Sequence, residues 1–115
     1  MQRPVAVSGP LYERLCEVAR RQDTIFYGEV APIAGVDTEN PNFAALLGRL
    51  LDEINHAEAA NGRPLLSAVV IGKENNMPGS GFFTCARQLR LYSGKDDLKF
   101  WLDELTSVHE YWSRR

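Results

Sequence analysis

The chain has 115 residues, 13 lysines and arginines against 15 aspartates and glutamates, a formal net charge of −2, and a 44% hydrophobic share. This suits one domain over 1–115 that buries a core without metal or disulfides, and it argues against coating nucleic acid by global charge, while leaving room for a local basic patch. No apolar run approaches the roughly eighteen residues of a membrane span, and Met1-Gln2-Arg3-Pro4 lacks a signal peptide's apolar core, so a cytoplasmic location without membrane contact is expected.

Residues 1–9 carry Pro4, Val5 and Val7 without a clear period and read as an arm. From Pro10, the spacing of Leu11, Leu15, Val18 and Ala19 predicts a helix to about Arg21, with Ser8 or Gly9 near its cap. Its basic residues gather at the C-terminal end, where the helix dipole favours them. Asp23 to Tyr27 is a short β-prone step, and 28–35 reads as a two-turn helix ended by Gly35, with Pro32 expected near its start. After a polar loop, Asn40 or Asn42 can cap a third helix. In that helix Phe43, Leu46, Leu47, Leu50, Leu51, Ile54 and Ala57 form the strongest apolar period in the chain, ending near Asn61-Gly62.

The segment Gly62 to Phe83 organises the rest. Leu65, Leu66, Ala68, Val69, Val70 and Ile71 form a continuous apolar run that reads as an interior strand. Gly72 to Gly81 reads as a polar loop closing a β-hairpin onto Phe82 and Phe83. Thr84 to Leu91 suits a short helix or turn, broken at Tyr92-Ser93-Gly94-Lys95. A last helix begins near Asp96-Asp97 with Leu98, Trp101, Leu102, Leu105, Val108 and Trp112 on one stripe. The expected fold is α+β: a mainly helical, winged helix-turn-helix-like domain with a small β-hairpin as its wing and a C-terminal helix.

No catalytic constellation stands out, and a non-enzymatic protein without cofactor or metal is expected. His56 and His109 lie on different predicted helices, with no second ligand at metal-binding spacing. Asp52-Glu53 and Asp96-Asp97 are adjacent on helices and point apart by about 100°. Ser67 and Ser80 lack the elbow and partners of a nucleophile, and Gly72, Gly79 and Gly81 miss the spacing of a phosphate loop. Cys16 and Cys85 lie far apart in apolar contexts and are expected as buried, reduced thiols.

Tyr27-Gly28-Glu29-Val30-Ala31, the Leu47-Gly48 pair in the third helix, and Arg63-Pro64 leading into Val69-Val70 follow one another in an order that resembles the DNA-binding domain of the alkylguanine-DNA alkyltransferases. The resemblance covers roughly residues 24–83 and implies a winged-helix fold and contact with a duplex. It does not carry over the family's chemistry. Leu65 stands where that family's acceptor cysteine would follow Pro64, Leu66 and Ser67 stand in place of its histidine and arginine, and Ala45 stands in place of the arginine that fills a flipped nucleotide's space.

Duplex DNA is therefore the expected partner. Asn40, Asn42 and Arg49 would reach it from the first turns of the third helix, and Lys73, Asn75 and Asn76 from the wing. Against this stand Asp52, Glu53 and Glu58, read as the acidic outer face of that helix. The alternative is a protein-interaction module that uses this acidic face or the aromatic last helix, where Phe100, Tyr111 and Trp112 exceed what a small core would hold.

Overall fold

The computed structural model describes residues 9–115; the arm up to Ser8 lies outside the described residues. Helix α1 (Pro10–Arg20) starts with proline at its first position, where the missing N–H is no loss, and buries Leu15, Cys16 and Ala19. The two-residue strand β1 (Ile25–Phe26) runs directly into α2 (Tyr27–Ile33). The Phe26 N–H donates to Glu29 Oε1 at 3.4 Å, closing the start of that helix. Pro32 stands in the second turn rather than near the start. The turn tolerates it because Gly28, whose carbonyl would have accepted the absent N–H, is solvent-exposed. Gly35, at φ 76, then ends the helix in the left-handed conformation that glycine reaches without strain.

Helix α3 (Phe43–Ala60) buries Leu47, Leu51, Ile54 and Ala57, together with Asn55 and Glu58. Its start is organised by Asn40, whose Oδ1 accepts from the Asn42 N–H at 2.8 Å. Asn42 itself occupies the cap position without a side-chain bond. Leu46 is 37% exposed and Leu50 and Phe43 are half-buried, so the buried stripe is narrower than the apolar period.

The central apolar run is buried as expected but is not a single strand. Leu66–Val69 is a 310 turn, and only Val70–Ile71 forms a strand, β2. This strand pairs in parallel with β1, Ile25 opposite Val70 and Phe26 opposite Ile71. The expected hairpin is absent, because the loop after β2 leads into helix α4 (Ser80–Gln88), which buries Phe82, Phe83, Cys85 and Ala86. Those four positions fall at i, i+1, i+3 and i+4, a helical face, and β2 pairs with β1 instead.

Helix α5 (Asp97–Ser113) is capped by Asp96, which accepts from the Lys99 N–H at 3.0 Å. It lies along the central run: Trp101 Nε1 donates to the Ala68 carbonyl at 2.8 Å, and the Leu65 N–H donates to Glu104 Oε2 at 2.8 Å. Trp101, Val108 and Trp112 are buried, whereas Leu98 and Leu102, expected on the same stripe, are 51% and 46% exposed. Five α-helices thus enclose a buried 310 turn and a two-stranded parallel sheet, a mainly helical α+β fold among the described residues. Cys16 and Cys85 are free and buried, as expected.

Candidate functional site

Tyr27 opens α2, and its hydroxyl accepts from the Gly79 N–H at 2.8 Å across 52 residues of sequence. A Cβ on Gly79 would meet that hydroxyl oxygen at 3.3 Å, so glycine lets the backbone approach this closely. The bond ties the 72–79 loop to α2. The loop also closes on itself: Gly72 N–H donates to Met77 O at 2.9 Å, and Asn75 Oδ1 accepts from the Met77 N–H at 3.1 Å.

Two cavities share Tyr27 and Gly79 as a common wall. The first, about 380 Å³, lies among α3, the start of α4 and the 310 turn, and is lined by Phe43, Gly48, Asp52, Ser67 and Phe82 among others. The second, about 290 Å³, is lined by the loop itself, including Lys73, Glu74 and Asn75. Behind the first cavity, Asn55 Nδ2 donates to Ser67 Oγ at 2.7 Å and Asn55 Oδ1 accepts from the Ser67 N–H at 3.2 Å. Ser67 and Tyr27 each accept one bond in this way and keep a hydroxyl proton to donate.

Burial raises the Asp52 carboxyl above the ordinary carboxylate range, opposed by the neighbouring Cys85 thiol and His56. Burial likewise pushes the Tyr27 phenol up, and it pushes the Cys85 thiol up to about 11, which leaves that sulfur almost wholly protonated and unreactive at neutral pH. That Tyr27, Phe43 and Asp52 line one cavity is not legible in the sequence because their partners are remote; Tyr27 and Gly79 share no local pattern.

No family model matches the chain, and no curated protein or solved structure matches it significantly.

The residues expected to touch DNA are all exposed: Asn40, Asn42 and Arg49 before and within α3, and Lys73, Asn75 and Asn76 on the loop. The Asn75 side chain is engaged in the loop's own turn, Asn76 takes φ 56, and Lys73 Nζ lies 5.7 Å from the Phe26 ring centroid. Of the three acids read as the outer face of α3, one is buried and one half-buried. Glu58 is fully buried, accepting from Tyr12 Oη at 2.8 Å and from Arg63 Nε and Nη2 at 2.8 and 3.0 Å. Asp52 lines the larger cavity, and Glu53 alone of the three is exposed.

The aromatic set of the last helix is also largely drawn in. Trp112 is buried; Phe100 is half-buried and stacked on Tyr92, ring centroids 4.3 Å apart, and Tyr111 is half-buried. Among the described residues no three His, Cys, Asp or Glu side chains are grouped to hold a metal ion, and no helix is long and apolar enough to cross a membrane.

Proposed function

We propose that the domain binds duplex DNA without chemistry of its own, through Asn40, Asn42 and Arg49 at the start of α3 and through Lys73 and Asn76 on the 72–79 loop, with Asn75 shaping that loop. The observation that carries this reading is the burial of Glu58, with the half-burial of Asp52 against a cavity. Fully exposed charge on the helix is then Arg49 against Glu53, with Asp52 half-buried, so the electrostatic objection to a phosphate-lined groove is reduced. The Tyr27–Gly79 bond supports it further, since it holds the end of the loop at the cavity that Phe43, the first residue of α3, also lines. The loop then serves as the second contact that a hairpin wing would have made.

The likeness to the alkyltransferase DNA-binding domain lends support from another side, resting on Tyr27 to Ala31, on Leu47-Gly48 and on Arg63-Pro64 leading into Val69-Val70. The acceptor position after Pro64 is a buried leucine, so what the likeness brings is duplex contact rather than alkyl transfer.

Anisotropy of a labelled duplex, titrated at low and at physiological salt, tests the reading. Few cations are available, so binding should be modest, with a slope of about −0.9 in log affinity against log salt for each phosphate contacted. Replacing Arg49 and Lys73 together with alanine should weaken binding on every sequence. No binding at low salt, where electrostatics are strongest, would overturn it.

A protein-interaction module is the second reading, and the exposed Leu98 and Leu102 on α5 favour it. It predicts that a partner is captured in a pull-down by the wild type and lost on replacing these leucines with serine, with Arg49 and Lys73 indifferent.

A further inference from the structure

The interior of the larger cavity takes no part in the DNA contacts proposed above, yet its lining is chemically selective. Tyr27, Phe43 and Phe82 contribute three aromatic rings, and Asp52 contributes a carboxylate. No lysine, arginine or histidine lines it. Asp52 has no ion-pair partner among the described residues; its polar neighbours are the Cys85 thiol, the Tyr27 hydroxyl and, one helical turn on, the exposed His56. A half-buried carboxylate without a counter-ion gives the cavity a negative potential, and the aromatic lining beside it suits a cation that presents carbon rather than a hydration shell. An anion would be repelled, and a neutral apolar guest would desolvate Asp52 further without compensation. An alkylated ammonium satisfies both features, because its charge answers the carboxylate while its weakly hydrated carbon shell suits Phe43, Leu47 and Phe82.

We propose that this cavity is a binding site for a small organic ammonium cation, held by the Asp52 carboxylate and caged by Tyr27, Phe43 and Phe82. The volume of about 380 Å³ lies in the range of small-ligand sites. The spare protons of the Tyr27 and Ser67 hydroxyls can also meet an acceptor on the same ligand, such as a hydroxyl or carbonyl oxygen. The same chemistry is found in free choline-like molecules and in the methylated ammonium of a modified lysine side chain.

Isothermal titration of the whole chain, without DNA, tests the site independently of the DNA reading, so either can fail alone. Probes are choline, the uncharged isostere 3,3-dimethyl-1-butanol, N-acetyl-trimethyllysine amide, and sodium chloride as the ionic control. Choline should bind saturably, and the neutral isostere at least about tenfold more weakly. Asp52→Asn should weaken choline by a similar factor. So should Phe43→Leu, a change at a half-buried position that keeps an apolar side chain, and far-ultraviolet circular dichroism verifies that each variant is folded. Tighter binding of the lysine derivative would assign the site to a modified side chain, and tighter binding of choline to a free cation; both support it. Equal binding of choline and its neutral isostere, choline binding unchanged in folded Asp52→Asn, or no saturable binding by either ammonium probe would overturn it.

Discussion

Glu58 is the residue at which the fate of a charge differs most from a surface reading of its helix. Leu47, Leu51, Ile54 and Glu58 fall at i, i+4, i+7 and i+11, so the spacing already puts this carboxylate on the buried stripe; its acidity alone suggests solvent. Burial is tolerated because Arg63 meets it with two nitrogens and Tyr12 with a hydroxyl, while the Arg63 N–H also donates to the Glu58 carbonyl at 2.9 Å. Arg63→Ala leaves that carboxylate buried and poorly compensated. The expected loss in urea denaturation is about 3 kcal/mol, the low end for breaking a buried pair, because the Arg63 side chain keeps some access to water. Adding Glu58→Gln should recover part of the loss. A midpoint that moves by less than a few tenths molar in Arg63→Ala would mean that water already solvates the pair.

At the scale of elements, α3 presents a rotated version of the face its period implies. Leu47 is 1% exposed and Leu50 half-buried, so Leu47→Ala should cost about 2–5 kcal/mol and Leu50→Ala clearly less. Equilibrium unfolding of the two variants side by side measures the rotation directly, and a larger cost at Leu50 would mean the helix faces the other way. Helix α4 carries the other lesson. Two adjacent aromatics after a glycine-rich loop suit a returning strand, yet Phe82 and Phe83 are packed edge to face, 5.2 Å between centroids, and Phe83 lies 6.1 Å from Tyr92. Only the spacing of Phe82 and Phe83 with Cys85 and Ala86 marks that start as helical; the partner aromatics, Tyr92 and Phe100, come later in the chain.

For the molecule as a whole, carboxyls half-buried between packed elements contribute to the response to pH. Burial raises the Glu104 carboxyl, opposed by the Leu65 N–H that donates to it, and Asp52 is raised as well. Groups raised in this way hold protons more tightly in the folded state than in the unfolded chain. Their contribution therefore favours folding as pH falls from above the raised value toward the ordinary carboxylate value of about 4.3, and is lost as pH rises back through that window. Glu104→Gln keeps a carbonyl oxygen to accept from Leu65 and removes the charge. Thermal unfolding between mildly acidic and neutral pH should show a flatter profile for Glu104→Gln than for the wild type; parallel profiles would mean that Glu104 titrates as it does in the unfolded chain.

What the sequence determined alone is what short-range periodicity and local chemistry encode: α1, the long α3, the capped α5, the short β-prone step at Ile25-Phe26, and the burial of Leu65 to Ile71 and of both cysteines. These follow from spacing, caps and apolar content within a few turns. The partner of β2, the 310 turn, the turn of Asp52 toward a cavity and the meeting of Tyr27 with Gly79 were decided by tertiary structure. Each depends on residues tens of positions apart, and a buried segment that is apolar on every side carries no period to say which neighbour it will bond.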